Sequence, residues 1–286
     1  FFFFKQKTAY EIYQCDWSSD VCSSDLLLAG LGVTSLVQSS TATGLIVASF
    51  VGQRLVPTAA ALAVMLGADV GSALMAVVFS FDLRWLSPLL IVVGVVLFTS
   101  RTAASNLAGR IGRVLIGLGL ITLALQLIVA ATRPLTEAPA VRALLAALPH
   151  EALLDVVVGA ALTVACYSSL AIVLLTATLA AQGLVPVDVA LGLVLGANLG
   201  SGLLAWLATG SDSPLARRLP LGNLLFKLAG ALAAMPLLGL VLPQLARWVP
   251  DVHAQVVGFH LGFNIALAIL FVGLTGPVAQ IGRAHV

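Results

Sequence analysis

Two short polar runs interrupt a chain that is otherwise poor in polar side chains: Gln38-Ser39-Ser40-Thr41 and, further on, Ser168-Ser169. Each lies inside an apolar stretch, where an ordinary spanning helix carries Leu and Val. Hydroxyls and a carboxamide are neutral donors. They can surround a small oxyanion without the desolvation cost of buried Arg or Lys, and freed N–H groups at helix starts add further donors. A second pair of runs, Gly67-Ala68-Asp69-Val70-Gly71-Ser72 and Gly196-Ala197-Asn198-Leu199-Gly200-Ser201, offers oxygens instead. Oxygen ligands suit a hard cation, and Asp69, Ser72, Asn198 and Ser201 are the candidate side chains for one. The plain alternative is that these Ser, Thr and Gly residues only let helices pack closely. The arrangement does not suit an enzyme: there is no Ser-His-Asp set, no HExxH and no pair of carboxylates. Cys166, alone in an apolar stretch, reads as a buried structural thiol.

Composition sets what must hold these runs in place. Of 286 residues, 60% are hydrophobic and 9% charged, against roughly 25% charged in a soluble domain; the mean hydropathy is +1.10. A soluble enzyme, a nucleic-acid binder and a disordered chain are all excluded. Apolar segments at about 27–51, 58–79, 85–99, 114–131, 153–181, 189–207, 219–242 and 256–278 approach the roughly 20 residues that cross a bilayer. The connections hold the charges and prolines: Arg54, Arg84, Arg101 to Arg113, Arg133, Arg142, Arg217-Arg218 and Arg247 to Asp251. The expected fold is an all-α polytopic membrane protein.

The chain also repeats itself. Thr34 to Ala42 aligns with Thr163 to Ala171 at an offset of 129 residues, and the same offset places Pro57 on Pro186 and Gly67–Ser72 on Gly196–Ser201 without a gap. Two separated motifs sharing one offset point to an internal duplication. If the serine runs are re-entrant hairpins, one period contains an odd number of full crossings and the second copy is inverted. If they are straight helices, the count is even and the copies are parallel. An inverted repeat with broken helices places its substrate near the midplane, at freed backbone groups. Residues 27–110 read as the first repeat and 111–280 as the second.

The two ends read differently. Back-translated, residues 5–12 and 16–26 fit two parts of a high-throughput sequencing adapter, and 281–286 (IGRAHV) fits the same adapter from the other side. Segments 1–26 and 281–286 are therefore read as non-native, with natural sequence missing before and after.

Gln38-Ser39-Ser40-Thr41-Ala42-Thr43 followed by Gly67–Ser72 resembles the paired QSSS and GANIGT signatures of the type II sodium/phosphate cotransporter family. Ser168-Ser169 with Gly196–Ser201 repeats the pair. Asn223-Leu224-Leu225-Phe226 after Arg217-Arg218, and His260-Leu261-Gly262-Phe263-Asn264, resemble later membrane motifs of the family. The resemblance covers about residues 27–280. It implies an inverted-repeat transporter in the bacterial inner membrane that carries inorganic phosphate with sodium. Both serine hairpins would meet at the substrate, with Gln38, Ser39, Ser40, Thr41, Ser168 and Ser169 on phosphate and Asp69, Ser72, Asn198 and Ser201 on the ion. No cofactor is implied beyond the transported sodium. The implied surroundings are the lipid bilayer and a cytoplasmic PhoU-like helical domain after Gln280, with no nucleic acid. The chain departs from the pattern at Tyr167, where the family has Gln, and at Leu170, where it has Ser, leaving the second half-site fewer hydrogen-bonding groups. The competing function is that of a degenerate member, no longer a transporter, which anchors or senses a regulatory partner.

Asp69, whose repeat partner Asn198 is neutral, and Lys227 are the two charges best placed to lie inside the membrane. Intramembrane charges tend to face the bundle interior and pair. Either these two approach each other, with the ammonium where relatives would hold sodium, or Lys227 snorkels and Asp69 binds the ion itself. His260 reads as a hydrogen-bonded packing histidine. Trp85, Trp206 and Trp248, at segment ends, read as interfacial anchors. Arg101–Arg113 reads as a solvated loop, and the arginine distribution places it in the cytoplasm with the C-terminus.

Overall fold

Helix breaks at the two serine runs organise the chain. The computed structural model describes residues 20–80, 85–99, 107–137, 151–210 and 212–280, and among these the secondary structure is helical with no strand. Helix α1 spans Asp20–Val37, α2 Ser40–Gly52 and α3 Thr58–Ser80. After α4 (Leu86–Thr99) and α5 (Leu107–Glu137) the pattern returns as α6 (Ala152–Cys166), α7 (Ser169–Ala181) and α8 (Val187–Ala208). The chain closes with α9 (Pro214–Ala234), α10 (Leu238–Trp248), α11 (Val252–Phe271) and α12 (Thr275–Gln280). Helix α1 starts within the segment read as non-native; residues 1–19 and 281–286 lie outside the described residues.

The repeat holds to the residue. Helices α2 and α7 are 13 residues each, and their starts, like those of α3 and α8, lie 129 residues apart. Gln38 and Tyr167 end α1 and α6 in the left-handed region, at φ 60° and 55°. The turns after α2 and α7 use a second left-handed pair, Arg54 at φ 61° and Gly183 at φ 70°. Pro57 and Pro186 then precede the long helices, where a fixed φ and a missing N–H suit a helix start.

Glycines seam each copy in the same way. A Cβ on Gly67 would overlap the Leu27 carbonyl, and one on Gly196 would overlap the Val156 carbonyl, again 129 residues on. Because the obstacle is backbone, no rotamer can relieve it. Gly67→Ala and Gly196→Ala should each destabilise the chain by about 1–3 kcal/mol or more. At Gly32, where an added Cβ meets nothing within 4 Å, Ala should be neutral or stabilising by up to about 1 kcal/mol. Thermal unfolding in detergent checks the contrast; equal midpoints for Gly67→Ala and Gly32→Ala would refute these seams.

Among the described residues, five helical stretches are long and apolar enough to cross a membrane: Thr58–Ser80, Leu107–Ala124, Val187–Ala208, Pro214–Trp248 and Val252–Gln280. Of these, α3 and α8 are buried over most of their length. The outer surface is apolar, with Val92, Val96, Val114, Leu232, Ile269 and Leu270 all exposed, which suits hydrocarbon rather than water. Helices α4 and α5 pack on each other through Gly94, Gly112 and Gly119, and the Ser87 hydroxyl donates to the Gly119 carbonyl at 2.9 Å.

Several expectations need correction. Cys166 is exposed, not buried, because it ends α6 beside the left-handed Tyr167. Arg110 and Arg113 lie within α5, and Arg217-Arg218 lie within the first turns of α9, so the helices extend further into the charged segments than hydropathy indicates. Residues 101–106, with Arg101, lie outside the described residues, as do Arg84 and Arg142. Trp85 and Trp248 are exposed next to helix ends, as anchors would be, and Arg217 stacks over Trp206 at 5.6 Å.

Candidate functional site

The serine breaks are helix N-termini built twice. Ser39 is extended (φ −147°, ψ 108°), and its hydroxyl oxygen accepts from the Ala42 N–H at 3.1 Å. Ser168 does the same (φ −153°, ψ 110°) with the Ala171 N–H at 3.1 Å. One orphan donor of each first turn is thereby satisfied, while the N–H groups of Ser40-Thr41 and of Ser169-Leu170 lie outside the helical ladder. Each capping hydroxyl keeps its own proton to donate. A partial positive charge at both helix starts adds to the preference for an anion.

The copies differ around this shared frame. Gln38 is buried and its Oε1 has no hydrogen-bond partner. Tyr167, at the equivalent position, is 77% exposed. In the first copy Thr34 donates to the Thr43 hydroxyl at 2.9 Å, and Thr43 donates to the Ser39 carbonyl at 3.1 Å. The second copy keeps Thr163, but Ile172 stands where Thr43 would, and the buried Thr163 Oγ1 is left without a partner.

The second set of predicted residues lies in a buried polar network between the copies. Helix α9 points Leu219, Asn223, Phe226, Lys227 and Gly230 inward at three- and four-residue spacing, and α11 does the same with Phe259, His260, Phe263, Asn264 and Leu267. Phe226 stacks on Phe271 at 4.8 Å and ties α9 to the end of α11. The Lys227 ammonium donates to Asp69 Oδ1 at 2.8 Å and to the Ser201 hydroxyl at 2.8 Å. Asn223 Nδ2 holds the other Asp69 oxygen at 3.1 Å. Of the two arrangements open for Asp69 and Lys227, the structure therefore shows the pair.

Asn198, the repeat partner of Asp69, is held in a parallel way. Its Oδ1 accepts from Asn264 Nδ2 at 3.0 Å, and its Nδ2 lies 3.0 Å from His260 Nδ1. An amide nitrogen only donates, so Nδ1 accepts and His260 is a neutral packing histidine with its proton on Nε2. Ser72 and Ser201 donate to the carbonyls of Asp69 and Asn198, at 3.0 and 2.7 Å. Thus Lys227 joins Asp69 to Ser201, the Ser201 hydroxyl reaches the Asn198 carbonyl, and the Asn198 side chain bonds Asn264 and His260 of α11. No hydrogen bond among the described residues links either serine run to that network. Helix α2 packs on α8 and α7 on α3, so each serine-started helix leans on the opposite copy.

Asn223, His260 and Asn264 were missed as site residues. Their signal was available: polar side chains four residues apart, Asn223 with Lys227 and His260 with Asn264, in helices with little other polarity. The oxygens Asn223 Oδ1 and Asn264 Oδ1 are buried without partners.

Apolar helices long enough to span a bilayer, around a buried polar centre and with two capped breaks, are the frame of a multi-pass membrane protein. Residues 23–130 and 135–276 match the Na+/Pi-cotransporter family. The chain belongs to that family, whose members are transporters and not enzymes. It is 50% identical over 252 residues to YjbB of Escherichia coli strain K12, named for a proposed role in inorganic phosphate export; the match covers 88% of this chain and 46% of YjbB. The YjbB of Salmonella typhimurium strain LT2 matches at the same identity and coverage. YqeW of Bacillus subtilis strain 168, whose name assigns no function, is 24% identical over 249 residues, 87% of this chain and 80% of YqeW. The chain spans about half the length of the YjbB proteins it matches. No solved structure matches it.

Proposed function

We propose that the chain moves inorganic phosphate across the bacterial inner membrane, with Ser39, Ser40, Thr41, Ser168 and Ser169 and the free N–H groups beside them binding the anion. The observation that carries this reading is the twin helix start: the same extended serine cap after a left-handed residue at the same position in both copies. The match to relatives named for phosphate export supports it. The break at each serine run, under the proposal, is the tip of a re-entrant hairpin, and the repeats at 27–110 and 111–280 are inverted about the midplane. Sodium-coupled symport, the form expected from the resemblance, needs oxygens from Asp69, Ser72, Asn198 and Ser201. Asp69 and Ser201 give theirs to Lys227, so phosphate movement is proposed without assigning sodium to those four. A PhoU-like regulatory domain remains part of the proposal for the longer protein.

Gln38 adds a specificity. Its unpartnered buried oxygen is an acceptor, and phosphate near neutral pH brings its own O–H donors, whereas sulfate brings none. Leaving a buried acceptor unpaired costs about 1–3 kcal/mol, roughly five- to 150-fold in affinity. Liposomes holding the chain and loaded with unlabelled phosphate should draw in radiolabelled phosphate by counterflow, and excess sulfate should compete poorly. Counterflow no faster than in protein-free liposomes overturns the function; equal competition by sulfate overturns the role of Gln38.

A further inference from the structure

The acceptors around the Lys227 ammonium come from both copies of the glycine motif. Asp69 supplies a carboxylate oxygen from α3 and Ser201 a hydroxyl oxygen from α8. Ser201 is the repeat partner of Ser72, and Asp69 that of Asn198. The Lys227 side chain is 2% exposed, so the charge is wholly within the protein. This environment also suits a small monovalent cation: a formal negative charge and neutral oxygens in a low-dielectric interior. Two cations cannot share it, because their repulsion there is strong and unscreened. An ammonium on a side chain, unlike an ion, cannot leave with the substrate.

We propose that Lys227 is a built-in cation that fills a site made by Asp69 and Ser201 which would otherwise take sodium, and that it frees phosphate movement from sodium. The proposal rests on the reading of the chain as a phosphate translocator, but its binding test stands apart from it. Without a co-transported cation, the phosphate gradient and the membrane potential set direction, and an interior-negative potential drives an anion outward. Under an inward sodium gradient, by contrast, obligatory symport drives phosphate in.

The test uses the whole 286-residue chain. In the unsubstituted protein, replacing sodium by choline should leave phosphate counterflow and the thermal midpoint unchanged, and no radiolabelled sodium should bind. Lys227→Asn removes the ammonium and leaves Asp69 open. That variant should bind sodium, gain thermal stability from it, and recover counterflow in sodium from a loss of about tenfold in choline. Asp69→Asn with Lys227→Asn should bind none. Sodium binding by the unsubstituted chain that Asp69→Asn abolishes, or counterflow that requires sodium, overturns the inference. So does Lys227→Asn protein that folds and shows no sodium response. If Lys227→Asn does not fold in choline, its recovery in sodium supports the proposal and failure in both salts counts against it. Absence of counterflow in every salt removes the phosphate reading, while the sodium-binding comparison still decides whether Lys227 fills the site.

Discussion

Lys227→Asn and Asp69→Asn, each made alone and measured without sodium, are expected to lower the stability of the chain by about 3–5 kcal/mol, because each leaves a buried charge without its main partner. The Asp69 carboxylate would keep only Asn223, and the Lys227 ammonium only Ser201. The double variant puts two neutral amides where the ion pair was, with Asn223 and Ser201 at hand for both. It should recover most of the loss, since replacing both partners of a buried pair is far less costly than removing one. Thermal or denaturant unfolding in detergent measures the cycle. Additive losses in the double variant would show that the two side chains do not pair. The expectation concerns stability alone and holds whatever the chain transports.

The second large effect separates backbone from side chain at Gln38. A non-glycine residue in the left-handed region costs about 1–2 kcal/mol, and Gln38 stands there at φ 60°. Gly at this position keeps the break, relieves the strain and removes the carboxamide. Gln38→Gly should therefore leave the thermal midpoint unchanged or raised while phosphate counterflow falls roughly five- to 150-fold, the effect of losing one buried partner to the substrate. Gln38→Leu should lose flux similarly, without the gain in stability. Tyr167→Gly, at the exposed equivalent position, should stabilise without that loss. Full flux in Gln38→Gly protein would make the serine run a packing device.

Much of this was readable in the residues. The 129-residue offset places every boundary from the end of α1 to the start of α3 onto its counterpart between α6 and α8. Asp69 and Lys227, 158 residues apart in sequence, could be paired because few other charges lie inside apolar segments and an isolated one is costly. The partners of Asn198 were not readable. Which residues meet across helices depends on how each helix is rotated about its axis, and in a soluble protein an apolar stripe against a polar face reports that rotation. On α9 and α11 the outward face is apolar as well, with Leu221, Leu225, Ile265 and Ile269 exposed. The four-residue spacing of Asn223 with Lys227 and of His260 with Asn264 therefore marks one face of each helix without telling which helix that face meets. Cys166 misled for the same reason: an apolar neighbourhood in the chain says little about burial where the surface itself is apolar.

The substitution of Ile172 for the counterpart of Thr43 makes two units of the same backbone pattern unequal in how easily they come apart. In the first, a chain of hydroxyls ties the end of α1 to the beginning of α2; in the second, Thr163 has lost the acceptor and α6 is held to α7 without that tie. One hydrogen bond contributes about 0.5–1.5 kcal/mol, enough to change a local opening equilibrium several-fold. Amide protons around Tyr167 and Ser168 should thus exchange with solvent before those around Gln38 and Ser39. Duplication supplied two doors of one pattern, and a single ethyl-for-hydroxyl change, Ile172 against Thr43, leaves one of them unlatched.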